Sequence, residues 1–285
     1  MLMSIGKKLV LIVAIAGMLC GCNPLTIFSR RGMTAMSGRA DRGLVIVLPG
    51  IEGRSGLNEA ICNGLAEGGV PYKIELYDWT SRLGPVANQR AEGRNREQAT
   101  QIAASIVRYK TAYPVRPVFL VGQSGGGAMA AWVAECLPSN QQVDGIVMLA
   151  ASLSPTYSLD AALARSKRGI VNFYSSRDWF LLGIGTTVLG TMDGAHTSSA
   201  GKTGFERPPL LSRSAAYDRL YQVSWTPAMA QAGNNGTHIS SGASAFVATY
   251  VAPLIMTPAW SHQAVDRIIQ GPESLAASDT YNTQR

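Results

Sequence analysis

Val118-Phe119-Leu120-Val121-Gly122-Gln123-Ser124-Gly125-Gly126 decides how the rest of the chain is read. Pro114 and Pro117 bracket the turn before it, and the apolar run that follows reads as a strand buried on both faces. Residues 126–137 are rich in small side chains and read as a helix. Between the two stands G-x-S-x-G. A pattern this short arises by chance, so its placement carries the weight. A tight strand-to-helix turn holds a serine in strained backbone geometry with its hydroxyl presented outward. The residues two before and two after meet in such a turn, and Gly122 and Gly126 leave the room it needs. The helix N-terminus then aims backbone N–H groups and a positive dipole end at the serine, which suits a developing oxyanion. The competing reading is a glycine-rich helix entry that binds a phosphate or nothing.

Outward from this turn, strand and helix alternate. Strands are expected at residues 44–48, 72–77, 118–122, 143–150, 170–174 and 219–225. Helices are expected at 58–68, 88–109, 126–137, 159–166 and 243–254. That alternation builds βαβ units, hence an α/β fold with a mostly parallel central sheet of about six strands and helices on both faces. No repeat or linker divides residues 43–285, so they form one domain, with a Gly-rich insertion at 179–216 that shapes a site or moves. With 46% hydrophobic and 15% charged residues, the chain is no disordered protein. Only the N-terminus offers a long apolar run, which excludes a multi-span membrane protein.

Residues 1–21 read as a signal peptide. Lys7-Lys8 precede an apolar stretch at 9–19, too short to cross a bilayer. Leu19-Cys20-Gly21-Cys22 resembles the lipobox of bacterial lipoproteins, which makes Cys22 the expected lipidation site; Cys20 departs from the usual small residue there. Residues 22–42 would then be a polar tether. The expected place is the cell envelope, anchored to a membrane through the N-terminal lipid, with plain secretion as the alternative. Lys7 and Lys8 leave about +5 of the net +7 on the body, and Arg90, Arg94 and Arg96 interleave with Glu92 and Glu97 as a solvated helix face. No nucleic-acid partner is expected. Cys62 and Cys136 could pair in an oxidising compartment or stay free in apolar helices; both readings stand.

A serine nucleophile needs a base, and the base needs an acid to orient it. Of three histidines, His238 sits in Asn234-Asn235-Gly236-Thr237-His238, after the sixth strand and before the closing helix. His196 lies in the insertion and His262 beyond the closing helix. Asp178 follows the fifth strand; otherwise it is a solvated turn carboxylate paired with Arg177. Asp160 and Asp193 close no strand.

The order Ser124, Asp178, His238 on this framework resembles the α/β-hydrolase family over residues 43–254. The resemblance implies a serine hydrolase, an esterase or lipase, that cleaves a small-molecule or lipid-like ester through an acyl-enzyme and needs no metal or cofactor. It also implies an oxyanion hole from the N–H of Gly125 and that of Ile51, in Pro49-Gly50-Ile51-Glu52-Gly53. Pro49 replaces the family's usual histidine, and the two N-terminal strands of larger members and a large cap are missing. Glu52 either orients a substrate or faces solvent. Apolar pocket walls are expected from Ile51, Trp79, Trp179, Phe180, Leu181 and Leu182. A thioester or amide would suit the same chemistry, and a non-catalytic binding lipoprotein on this scaffold is the alternative. Gly201-Lys202-Thr203 imitates the end of a P-loop but lacks both the leading glycine, where His196 stands, and a preceding strand.

Overall fold

Seven strands form one sheet in the computed structural model, which describes residues 32–37, 39–178, 190–209 and 214–271. They are β1 (Gly32–Ser37), β2 (Arg39–Leu48), β3 (Tyr72–Asp78), β4 (Val118–Gln123), β5 (Gly145–Leu149), β6 (Ile170–Tyr174) and β7 (Leu220–Ser224). Their order is β1-β3-β2-β4-β5-β6-β7, with β1 antiparallel on the edge and the other six parallel. The helices are α1 (Gly56–Glu67), α2 (Pro85–Arg90), α3 (Glu92–Ala112), α4 (Gly125–Glu135), α5 (Asp160–Ala164), α6 (Ala200–Thr203), α7 (Ser244–Phe246), α8 (Ala252–Met256) and α9 (His262–Gln270).

Strand periodicity sorts the core. Leu44, Ile46, Leu48, Leu120, Ile146 and Met148 point to one face, where α3 and α4 pack with Ile102, Ile106 and Trp132. Val45, Val47, Phe119, Val121, Val147 and Val171 point to the other, against Ile61 and Leu65 of α1 and Leu254 of α8. Both faces are covered, which is why the central strands read as unbroken apolar runs rather than as alternation.

The chain runs from β2 to β3 on one side, then crosses to place β4 on the other side of β2. The carboxyl ends of β2 and β4 are therefore neighbours, with Leu48 paired to Gly122. Crevices at such a reversal of strand order are where open α/β sheets bind ligands.

Several expectations need correction. Residues 32–37, expected within a polar tether, form β1, and β2 begins at Arg39. The helix expected at 88–109 is two helices, broken at Ala91 (ψ 53°). There the side-chain amide of Asn95 takes the carbonyl of buried Asn88 (2.7 Å). The closing helix widens into a π turn (Val247–Val251) between α7 and α8. Pro253 has no N–H for the carbonyl of Thr249, which interrupts the helical ladder there. Helix α9 was not anticipated. Cys62 lies buried on α1 and Cys136 at the exposed end of α4, on opposite faces of the sheet, and both are free thiols. Residues 1–31, with Cys22, and the expected pocket walls Trp179, Phe180, Leu181 and Leu182 lie outside the described residues.

Candidate active site

The turn after β4 has the geometry its sequence demands. Ser124 has φ 54° and ψ −120° and is 5% exposed. Its N–H donates to the Leu149 carbonyl (2.9 Å), and its own carbonyl accepts from Gly127 (3.0 Å) and Ser152 (2.9 Å), which holds the strained residue from β5 and α4. A Cβ on Gly122 would strike the Gly126 carbonyl, and one on Gly126 would strike that of Leu48. Side chains at either position would push the turn apart.

His238 Nδ1 lies 3.0 Å from Asp178 Oδ1 and 3.1 Å from Oδ2. Asp178 is fixed in the turn after β6 by its N–H to the Ser175 carbonyl (2.9 Å) and is 6% exposed. Arg177, the partner expected were Asp178 a solvated turn carboxylate, stacks instead over Trp225 (4.6 Å). The His238 loop is tied from several sides. Trp225 Nε1 donates to the Asn234 carbonyl (2.6 Å), Asn234 Oδ1 accepts from the Gly236 N–H (2.9 Å), and Ser241 Oγ donates to the His238 carbonyl (2.8 Å). A further donor to that carbonyl comes from beside the serine, Gln123 Nε2 (3.4 Å). His238 and Asp178 are thus brought together, and the residue before Ser124 touches the histidine loop.

The other candidates go elsewhere. His196 is exposed, and the His262 ring packs on Tyr221 (4.9 Å). Asp193 accepts from the N–H and Oγ of Ser154 (2.9 and 2.6 Å). Asp160 opens α5. Gly201 belongs to α6 and packs so closely on Ala150 that a Cβ there would strike its backbone. Arg96 pairs with Glu92 as expected (2.9 Å), but Arg94 is structural, capping the carbonyls of Trp79 (2.8 Å) and Thr80 (2.9 Å).

The loop after β2 lies against the helix start. A Cβ on Gly125 would sit 2.9 Å from Ile51 Cγ2, 3.3 Å from Trp79 Cζ2 and 3.4 Å from Met192 Sδ. Three successive carbonyls of this loop are tied down. Trp79 Nε1 holds Pro49 (2.8 Å), the Gly53 N–H holds Gly50 (3.1 Å), and Asn88 Nδ2 holds Ile51 (2.9 Å). Fixing those peptides fixes where the Ile51 N–H points, while Gly125, first in its helix, has no intrahelical acceptor for its own. Asn88 is itself clamped by the N–H and Oγ of Ser81 (both 2.7 Å).

The sequence reading missed Asn88, Met192 and Gln89, whose amide reaches Ser152 Oγ (3.3 Å) and the Gly190 carbonyl (2.8 Å). Asn88 and Gln89 are adjacent polar residues in a helix, and only their burial in the fold marks them out.

No family model and no curated protein matches the chain. Among solved structures it is similar to lipase B of Aspergillus fumigatus, with 13% identity, a TM-score of 0.53 and 83% of this chain covered. The chain spans about 60% of that lipase. It also aligns with Est1E of Butyrivibrio proteoclasticus (9% identity, TM-score 0.46, 82% of this chain and 93% of that one). A further alignment is with TT1662 of Thermus thermophilus (17%, TM-score 0.45, 79% and 94%). The first likeness, the parallel sheet and the strand-to-helix turn at Ser124 agree: the fold is that of the α/β-hydrolases.

Proposed function

We propose that the protein is a serine hydrolase that cleaves a carboxylic ester through an acyl-enzyme. The observation that carries this reading is the His238–Asp178 pair at 3.0 Å, on loops tied to the strained Ser124 turn. A carboxylate only accepts, so Asp178 keeps the imidazole proton on Nδ1 and leaves the Nε2 lone pair as the base. Nε2 takes the Ser124 proton as Oγ attacks the ester carbonyl. The oxyanion is held by the N–H groups of Gly125 and Ile51, whose orientation is set before substrate arrives and so costs no reorganisation in the transition state. Collapse expels the alcohol, protonated by His238; water, deprotonated by the same nitrogen, then releases the acid. Ile51, Trp79 and Met192 around Gly125 make the near wall apolar, which favours an acyl chain over a charged one.

Hydrolysis of nitrophenyl esters of increasing acyl length tests this. Wild type turns over, and Ser124→Ala and His238→Ala each lose activity by on the order of 10⁴ or more. A folded wild type inert on esters but active on thioesters or amides would reassign the bond; one inert on all would favour a binding module.

The site works, on this reading, outside the cytoplasm, with Cys22 carrying a lipid. The support is the N-terminal sequence alone. Among the described residues no helix is long and apolar enough to cross a membrane. A full-length chain that partitions into detergent, and a Cys22→Ser chain that does not, would establish the anchor; equal partitioning would refute it.

A further inference from the structure

We propose that β1 turns the lipid anchor back to the end of the sheet that carries Ser124, so that the mouth of the site faces the bilayer and the ester it cleaves is a lipid drawn from that bilayer. The substrate rests on the hydrolase reading above and the anchor on the reading of Cys22; the path of the chain rests on neither.

That path follows from strand direction. Strand β2 begins at Arg39, which pairs with Tyr72, the first residue of β3. A chain entering the sheet there would leave its N-terminus at the amino end of the parallel strands, away from the turn after β4. Strand β1 reverses this. It runs antiparallel to β3 and opens at Gly32, which pairs with Asp78, the last residue of β3. Gly32 therefore lies at the carboxyl end of the parallel strands, the end at which Ser124 follows β4. In the order β1-β3-β2-β4, β1 and β4 are three strand spacings apart, about 14 Å. The residue after Asp78 bridges much of that gap. Trp79 Nε1 donates to the Pro49 carbonyl (2.8 Å), and its Cζ2 lies 3.3 Å from where a Cβ on Gly125 would sit.

Reach then fixes which end meets the membrane. Gly32 is ten residues on from Cys22, at most about 35 Å even fully extended. A lipid on Cys22 holds the site end of the domain within that distance of the headgroups. What that end presents suits the contact. Leu83 is 83% exposed on the loop from β3 to α2, where Ser81 clamps Asn88 (2.7 Å) and Asn88 holds the Ile51 carbonyl (2.9 Å). Ile239, 49% exposed, directly follows His238. The exposed apolar residues Val115 and Met256 lie at the opposite end, beside the turns into β4 and β6, so apolar exposure alone does not choose a face; the path of the chain does. Exposed charges of both signs, Glu52 and Arg82, stand at the site end, so neutral phosphatidylcholine vesicles are the probe. A short tether raises the effective concentration of an ester in the same bilayer and does nothing for a dissolved one.

Orientation is read first. In a Cys136→Ala background, a donor dye on Leu83→Cys or on Val115→Cys of the lipidated chain faces phosphatidylcholine vesicles whose headgroups carry an acceptor. The dye at position 83 should transfer more energy than the one at 115. Equal transfer, or more from 115, overturns the proposal whatever the activity. Turnover of nitrophenyl butyrate in water and of a long-chain diacylglycerol in the same vesicles is then compared in wild type and Cys22→Ser. Cys22→Ser should keep its rate on the butyrate and lose about tenfold or more on the diacylglycerol. A chain held with position 83 toward the bilayer that cleaves the butyrate but gains nothing from the anchor on the diacylglycerol overturns the substrate. The same orientation with neither ester cleaved leaves the path of the chain standing and removes the hydrolase reading. Butyrate turnover by a chain whose intact mass shows no lipid keeps the hydrolase and removes the anchor, and this proposal with it.

Discussion

Ser124 holds a backbone conformation that an L-residue adopts only under constraint, at a cost of about 1–3 kcal/mol. The cost is met by neighbours that over-determine the turn, the two glycines and the hydrogen bonds from Gly127 and Ser152. Glycine carries no such penalty at positive φ. Ser124→Gly should therefore be inactive but more stable than Ser124→Ala by about 1 kcal/mol in urea unfolding; a glycine variant no more stable than alanine would mean the turn relaxes. Ser124, Asp178 and His238 were legible as candidates because their chemistry is scarce and each follows a strand. Asn88 was not legible, because a buried asparagine in a helix and a solvated one share a sequence. Glu52, open between substrate and solvent in the sequence, is exposed, and its carboxyl accepts from Asn58 and Ser55, contacts that local sequence does not announce.

Among the elements, α2 matters beyond its six residues. It ends where a longer helix was expected to continue, and that break lets Asn88 reach the Ile51 carbonyl while Asn95 caps Asn88. Removing the side chain should loosen the loop that presents the Ile51 N–H. Losing an oxyanion donor outright costs about 10²–10³ in kcat, so Asn88→Ala should cost about 10–10² with KM little changed. An effect confined to KM would place Asn88 in substrate binding instead. Strands were legible to within a few residues because burial on both faces demands apolar runs. Helix ends and breaks were not, since Ala91 and the π turn before Pro253 are set by side-chain hydrogen bonds and a missing N–H rather than by periodicity.

At the scale of the molecule, the sheet order brings the ends of β2 and β4 together and so builds the site from segments far apart in sequence. The parallel sheet and its helix-covered faces followed from alternation alone. Strand β1 did not, because an antiparallel edge strand owes its place to pairing with β3 and leaves no apolar run. Without it β3 becomes an open edge, and open edges recruit other chains. A chain starting at Gly43 should therefore associate, and unfold at lower urea, compared with one starting at Asn23; size-exclusion and urea unfolding check this, and identical behaviour would show the edge to be protected otherwise. The central claim concerns one hydroxyl. The direct measurement is the intact mass and peptide map of the folded protein after a fluorophosphonate. The account predicts a single adduct on the peptide bearing Ser124, absent when His238 is alanine. An adduct elsewhere, or labelling that survives the loss of His238, would contradict it.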